Sequence, residues 1–336
     1  MLLAAGRREQ ALAAYQKSLT IAQQLADSDK GNAQWQRDLS VAYEKIGDVQ
    51  AAAGRQGEAL AAYRKALALR RQLADGDQGN AEWQRMLAVA YGKLGDQLVA
   101  AGKSEEAIAA LQNDLAITQR LADSDKGNAQ WQRDLSVAYN KAGDVLLAMG
   151  KREEALADYQ QGLAIAQRLA DSDQGNAQSQ RDLAFSYDNI GDALADADQN
   201  EQALAAYRKG LAIRQQLAER DGGNVEWQRD LSGSYTKIGD VLAAAGRPEE
   251  ALAEYRKSLA IALPSPTATR AMRVGSAIFP STTTWSATCW RRRANARRRL
   301  RPICRVLPSG GSLRRATRAT RKDRSISSSA SPRSAG

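Results

Sequence analysis

The stretch Leu-Ala-Asp-Ser-Asp-Lys-Gly-Asn-Ala-Gln-Trp-Gln-Arg-Asp-Leu-Ser-Val-Ala-Tyr runs from Leu25 to Tyr43, and the same letters recur from Leu121 to Tyr139. Four of the six tryptophans, Trp35, Trp83, Trp131 and Trp227, are separated by half of that spacing or by a multiple of it. Ser179 occupies the remaining place in the tryptophan series. Self-similarity at a fixed period is typical of repeat architectures. The sequence therefore predicts a tandem array with a period of 48 residues.

Each unit reads as two helices joined by a short turn. The first is predicted from about Ala33 to Ala53, because its apolar residues stand at helical spacing; they are Trp35, Leu39, Tyr43, Ile46 and Val49. Asn32 is a natural N-cap for this helix, and Gly54 ends it. The second helix is predicted from about Gly57 to Ala74, followed by turn-forming residues up to Asn80. Neither helix can bury its apolar face alone, so stability must come from stacking on neighbouring units.

The order and spacing of the small and apolar residues resemble the tetratricopeptide repeat (TPR) family. The matching residues of the first unit are Tyr43, Ile46, Gly47, Gly54, Ala59, Tyr63, Ala66 and Leu67. The ordinary family unit has about 34 residues, so this longer unit resembles the variants in kinesin light chains and bacterial arrays. The resemblance implies an all-α, right-handed solenoid whose first helices line a concave face. It also implies that Gly47 and Ala59 allow the two helices to cross closely.

The resemblance covers residues 1–262, with a half repeat over 1–31 and full repeats starting near residues 32, 80, 128, 176 and 224. Residues 263–336 differ in composition: after Leu263 there are 17 Lys or Arg against one acid, Asp323. The remainder of the chain holds 31 bases and 37 acids. We expect a disordered, basic C-terminal tail. Its arginine runs, Arg291–Arg293 and Arg297–Arg299, would suit nucleic-acid phosphates.

The tail has a simpler explanation in the genetic code. One period after Trp227, the next unit should read Trp-Gln-Arg-Asp-Leu-Ser; a plausible coding for it, read one base out of frame, gives Gly-Ser-Ala-Ile-Phe-Pro. That hexapeptide is present at Gly275–Pro280, and two further matches follow in the same shifted frame, at Ala287–Trp290 and Leu307–Ser309. The tail is therefore interpreted as frameshifted repeat sequence. Because Met1 also aligns with the middle of a unit, the chain is interpreted as a fragment of a longer bacterial repeat protein.

One aspartate per unit follows the crossing glycine, and these residues are the candidate ligand contacts on the concave face. A ladder of carboxylates with apolar residues between them would favour a basic peptide. Substitutions make the fourth unit the strongest local candidate, because several carboxylates cluster there. The proposed contacts are Asp48, Asp96, Asn140, Asp144, Phe185, Asp188, Asp192, Asp196, Thr236 and Asp240.

Other interpretations compete with this one. Each aspartate could instead pair with the lysine three residues earlier in its helix, a weak surface interaction; these lysines are Lys45, Lys93, Lys141 and Lys237. The tryptophans are expected to pack in the core rather than to contact ligand. Asp27–Asn32 is expected to be a turn before a helix cap, since its spacing fits a calcium loop poorly. Aspartate at the position of the family's clamp asparagine disfavours binding of a C-terminal carboxylate.

The sequence thus predicts a non-catalytic scaffold that binds a protein or peptide in a groove. The chain has no histidine, the most common general base, and no Gly-rich phosphate loop. No cofactor or metal is expected, nor a membrane partner, and a cytoplasmic location is expected because no signal peptide or spanning segment is seen. Self-association through the ends of the array is a further expectation. Nucleic-acid binding through the basic tail is the alternative function.

Overall fold

The computed structural model of the protein describes residues 8–262, and within this range the chain forms eleven α-helices. They are α1 (Arg8–Ser28), α2 (Ala33–Ala52), α3 (Gln56–Gly76), α4 (Ala81–Ala100), α5 (Ser104–Ser124), α6 (Ala129–Ala148), α7 (Arg152–Ser172), α8 (Ala177–Asp196), α9 (Asn200–Arg220), α10 (Val225–Ala244) and α11 (Pro248–Ala262). The predicted disordered tail, its out-of-frame origin and the start of the chain within a unit all lie outside the described residues.

The helices alternate between two types with a constant period. The even-numbered helices α2 to α10 are the first helices of five units, and each begins 48 residues after the previous one. The odd-numbered helices α3 to α11 are the second helices, and α1 is the second helix of a preceding half unit. Each first helix packs against its own second helix and against the second helix of the unit before it. This arrangement confirms the predicted all-α, right-handed solenoid of helix pairs.

The predicted helix ends hold at the first helix and shift at the second. The side chain of Asn32 accepts a hydrogen bond from the backbone N–H of Trp35 at 3.2 Å, so the predicted N-cap is confirmed. Gly54 lies in the turn between α2 and α3 and has φ +77°, a backbone conformation that favours glycine. The second helix, predicted to end at about Ala74, continues for two more residues to Gly76. The backbone N–H of Asp77 still bonds the carbonyl of Leu73 at 3.2 Å, and this bond extends the helix.

Small residues set the distance between the two helices of a unit. A Cβ atom on Gly143 would lie 2.6 Å from Cε1 of Tyr159, closer than real contacts allow. The facing alanine, Ala155, is completely buried. The equivalent glycine of every unit meets a tyrosine ring of the second helix or, at Gly95, the side chain of Leu111. The close crossing that the family resemblance implies is therefore present.

Apolar clusters continue from one unit to the next. The largest buried cluster includes residues from Ala59 on α3 to Val145 on α6, and Trp83 and Trp131 pack against it. Trp35 packs against the cluster between α1 and α2. Trp35, Trp83 and Trp131 thus pack against the core, as predicted. No helix in the described range is long and apolar enough to cross a membrane.

Candidate functional site

The first helices form a continuous surface because α4 contacts α6 and α6 contacts α8 directly. Residues four or three apart share one face of a helix, so four rows of side chains follow this surface from unit to unit. The rows begin at Arg37, Val41, Lys45 and Asp48 and repeat every 48 residues. We call these four rows the first-helix surface.

The aspartate row connects helices to one another. Asp48 accepts a hydrogen bond from the Tyr63 hydroxyl of its own unit at 2.7 Å. It also accepts one from Nζ of Lys93, which belongs to the next first helix, at 3.0 Å. In the fourth unit Asp192 accepts from Tyr207 at 2.5 Å and from Lys237 at 3.1 Å. These carboxylates therefore brace two helices of one unit against the next unit.

The other units contain parts of this arrangement. Asp144 and Asp240 each accept a hydrogen bond at 2.7 Å from the tyrosine of their own second helix. Asp96 has no such tyrosine, because Leu111 stands there, and it bonds Lys141 at 2.8 Å with about half of its side chain exposed.

Burial and the nearby Asp48 carboxylate raise the pKa of Tyr63 far above its usual value. That phenol therefore stays a hydrogen-bond donor.

The alternative pairing within one helix is confirmed in part. Lys45 lies 3.6 Å from Asp48 of the same helix. Lys93, Lys141 and Lys237 instead reach back to the aspartate of the preceding unit. The hydrogen bonds of these three lysines are thus not the predicted ones within a helix, although Lys141 still interacts electrostatically with Asp144, three residues later on its own helix. The stacking of units brings the preceding carboxylate within hydrogen-bonding distance of each of the three.

Buried ion pairs lie directly beneath the surface, and sequence reasoning missed them. Glu44 accepts from Arg70 at 2.5 Å and from Lys93 at 2.7 Å. Burial alone would raise the pKa of Glu44, but Arg70 and Lys93 together hold it below the usual value. In the fourth unit Arg214, only 2% exposed, bonds both carboxylate oxygens of Asp188.

In the second unit the buried carboxylate comes from the other helix. Gly92 takes the place of Glu44, and a Cβ there would lie 2.6 Å from Oδ2 of Asp114 on α5. The same hypothetical Cβ would lie 3.2 Å from Nζ of Lys141. Burial raises the pKa of Asp114 to about 7, with Lys141 opposing the shift and the carboxylates of Asp96 and Asp134 adding to it. In the second unit the buried carboxylate therefore lies near the position that Glu44 has in the first unit, but it comes from the second helix instead of the first.

The third unit has no charge at the corresponding place. Asn140 stands there and donates to the Ser186 hydroxyl at 3.2 Å, while its Oδ1 is buried without a hydrogen-bond partner. Asn189 replaces the lysine of the next first helix. At this junction, both the buried acid and the lysine that contacts it in other units are therefore replaced by asparagine. This joint change was the signal in the sequence that could have located the buried pairs.

The predicted cluster of the fourth unit is only partly at the surface. Phe185 is 42% exposed, whereas Asp188 is 5% exposed and faces Arg214 inside the unit. Arg181 and Arg214 lie over the Phe185 ring, 5.5 and 5.1 Å from its centroid. Asp196 is exposed at the end of α8. The fourth unit therefore presents an aromatic ring rather than a set of converging carboxylates.

Thr236 lies on the next first helix. Its hydroxyl lies 3.1 Å from the Ser232 carbonyl and 2.9 Å from the Ser258 hydroxyl. The contact with Ser258 ties α10 to α11. The side chain is half-buried, so its predicted role as a ligand contact has to act alongside a structural one.

The arginine row forms a second series of contacts between units. Arg85 bonds Asp134 at 2.6 Å, Arg133 bonds Asp182 at 2.5 Å, and Arg181 bonds Asp230 at 2.6 Å. The hydrogen bond that Arg133 donates to Asp182 raises the pKa of Arg133 above its usual value. Each pair joins consecutive first helices at the edge of the first-helix surface.

The part of the chain that the structure describes contains no group of His, Cys, Asp and Glu that could hold a metal ion. In the stretch Asp27–Asn32, predicted to be a turn, the first two residues still belong to α1 and residues 29–32 form the turn, where the side chain of Asp29 accepts from the backbone N–H of Gly31 at 3.0 Å.

Two family models match the sequence, and both are described as tetratricopeptide repeat. One matches residues 135–174 and 184–222, and the other matches residues 40–73 and 232–263. Nearly all of each match is the later part of a first helix and the second helix that follows it. No curated protein matches the chain.

Several solved structures are similar in fold. BtubC (BKLC) from P. vanneervenii is 20% identical with a TM-score of 0.58, over 83% of this chain and 96% of that one. The apo form of RapI is 12% identical with a TM-score of 0.52, over 86% of this chain and 74% of that one. A kinesin light chain with TPR-like repeats from Podospora anserina is 16% identical with a TM-score of 0.46, over 69% and 96%.

Proposed function

The chain belongs to the tetratricopeptide repeat family, and on this basis we propose that it is a scaffold that binds a peptide or protein segment on the first-helix surface. The solenoid holds side chains of successive first helices in fixed rows. A ligand that runs across the rows would contact several units at once. No catalytic step is part of this proposal.

Phe185 is the observation that supports the proposal most directly. The ring is 42% exposed on α8, while the same row has the smaller Val41, Val89 and Val137 in the preceding units. Exposed aromatic side chains are frequent anchors at protein interfaces, since they bury a large area at low cost in entropy. The ring is also held in place by Arg181 and Arg214. A rigid aromatic group of this kind suits an apolar side chain of a partner.

The charge of the ligand depends on the carboxylates that remain accessible. We keep the predicted contacts at Asp96, Asp196 and Asp240, which are exposed, as the basis for a basic ligand. Asp48 and Asp192 support it less, because each already accepts hydrogen bonds from a lysine and a tyrosine. A ligand lysine would have to compete with these internal partners.

Selection of peptides on the full chain, followed by affinity measurements, tests the proposal. Peptides selected from a displayed library would be labelled and titrated against the wild-type protein and against Phe185→Ala by fluorescence anisotropy. Loss of an interface aromatic typically costs about 2 kcal/mol or more, so the affinity should fall roughly thirtyfold. Ile21→Ala, which removes a more exposed apolar side chain from the second helix α1, is the matched control and should bind normally. Equal losses in the two variants would refute the proposal.

The alternative is nucleic-acid binding through the arginine-rich tail, which lies outside the described residues. Deletion of residues 264–336 separates the two functions. Salt-dependent binding of DNA or RNA that disappears with the tail would favour the alternative. Unchanged peptide binding after the deletion would favour the scaffold.

A further inference from the structure

The arginine row shows how this surface binds a carboxylate. At three consecutive junctions an arginine of one first helix bonds an aspartate of the next, and the closest atoms are 2.5–2.6 Å apart. The three aspartate side chains are only 11–19% exposed. Charge-assisted hydrogen bonds of this type are among the stronger ones in proteins. The position beside each of these arginines at which a carboxylate can bind, called the carboxylate place below, is thus occupied by an aspartate of the array itself.

The first junction breaks this series. Met86 stands on α4 where the later units have Asp134, Asp182 and Asp230. Within the described range, the ion pair of Arg37 is with Asp38 of its own helix, at 3.6 Å. Both side chains of that pair are more than one third exposed, and such surface pairs contribute little. Arg37 is therefore the member of the row whose carboxylate place the next unit does not fill.

The residues in register with this place on α2 and α4 are apolar. Val41 is one turn after Arg37 on α2, and Val89 is the equivalent residue on α4, with 38% of its surface exposed. Met86 is half-buried and lies three residues before Val89 on α4. A guanidinium group next to apolar surface is partly shielded from water, which strengthens its attraction for an anion.

We propose that Arg37 and the adjacent Val41, Met86 and Val89 bind an acidic segment of the partner, in which a carboxylate side chain lies next to a large apolar residue. The carboxylate takes the place that an aspartate of the following unit takes at the other three junctions. The apolar residue covers Val89 and Met86. This inference rests on the proposed function and assigns the partner's chemistry at the first two units.

Two substitutions test the site from opposite directions. Arg37→Gln removes the guanidinium group. Met86→Asp supplies the internal carboxylate that the later units have, so it should occupy Arg37 without loss of stability. Arg55→Gln, which removes a half-exposed arginine at the N-cap of α3, is the control. Thermal melts confirm that all three variants fold.

The probe is a fluorescein-labelled heptapeptide with one aspartate flanked by leucines, compared with the same peptide carrying asparagine. The full chain should bind the aspartate form roughly tenfold or more tightly, because a charged hydrogen-bonded pair is replaced by a neutral one. Arg37→Gln and Met86→Asp should each abolish this preference, and Arg55→Gln should keep it. Equal binding of the two peptides by the wild-type protein, or a preference that survives both substitutions, would overturn the inference. Neither result affects the dependence of selected peptides on Phe185, which tests the proposed function separately.

Discussion

Asp198 has a left-handed backbone conformation, with φ 59°, in the turn between α8 and α9. The other described turns of this type have a glycine there, at Gly54, Gly102, Gly150 and Gly246. An L-amino acid in this conformation is strained by about 1 kcal/mol. Among these turns, the one in the fourth unit is therefore the one with a strained backbone.

Replacement of Asp198 by glycine should remove this strain. We expect Asp198→Gly to raise the free energy of unfolding by about 0.5–1 kcal/mol, with part of the gain offset by the greater freedom of glycine in the unfolded chain. Urea denaturation followed by circular dichroism measures the change. The reverse substitution, Gly150→Asp, should destabilise the protein. A loss of stability in Asp198→Gly would contradict the assignment.

Asp114 gives the stability of the protein a pH dependence. Its pKa is about 7 in the folded protein and about 3.9 in an unfolded chain. Between these values the folded state keeps a proton that the unfolded state has lost, so the contribution to stability falls as the pH rises from about 4 to about 7. In Asp114→Asn this part of the pH dependence should disappear. The variant should match the wild type near pH 4 and exceed its stability at pH 8, as measured by urea titrations across this range. The same difference between the two proteins at every pH would rule out the raised pKa.

At the level of helices, the junction between the third and fourth units differs from its neighbours. Asn189 replaces the lysine that elsewhere reaches the preceding carboxylates, and Ser179 replaces the tryptophan at the start of α8. Asn140 has an unsatisfied buried oxygen at this junction. The stability of a repeat array is approximately a sum over units and the interfaces between them. The array should therefore open first between α7 and α8.

Hydrogen exchange followed by mass spectrometry tests this order. Amides of α8 should exchange faster than those of α6, which begins with Trp131. Ser179→Trp should slow exchange in α8 by adding a large apolar side chain to the junction, and Trp131→Ser should speed exchange in α6, since loss of a packed aromatic costs roughly 3 kcal/mol or more. Uniform exchange along the array, unchanged by Ser179→Trp, would refute a weak junction.

The sequence was sufficient for the helix pairs, the Asn32 cap and the core position of the tryptophans, because helical period and capping are local properties. It was not sufficient for the partners of the aspartates. Lys93 and Asp48 are 45 residues apart, and their contact depends on how far successive units rotate against each other. The exchange of an acid between helices, with Gly92 facing Asp114, likewise requires the packed structure.

For the whole molecule, stacking produces both stability and function. The contacts that hold one unit to the next, the lysine–aspartate and arginine–aspartate pairs, lie in the same rows as the proposed ligand contacts. Their internal pairing neutralises most of the charge on the first-helix surface. What remains for a partner is an aromatic ring on α8, the arginine on α2 that pairs, among the described residues, only with its neighbour Asp38, and the exposed carboxylates of Asp96, Asp196 and Asp240. A ligand that uses both the ring and this arginine would span the first four units.

The central claim, that a partner binds on the first-helix surface, is tested most directly by hydroxyl-radical footprinting of the full chain with and without a selected peptide. We predict that Phe185 and Met86 become protected from oxidation, while Ile21 and Leu25 on the second helix α1 stay as reactive as in the free protein. Protection of Ile21 and Leu25, with Phe185 and Met86 unchanged, would contradict the account.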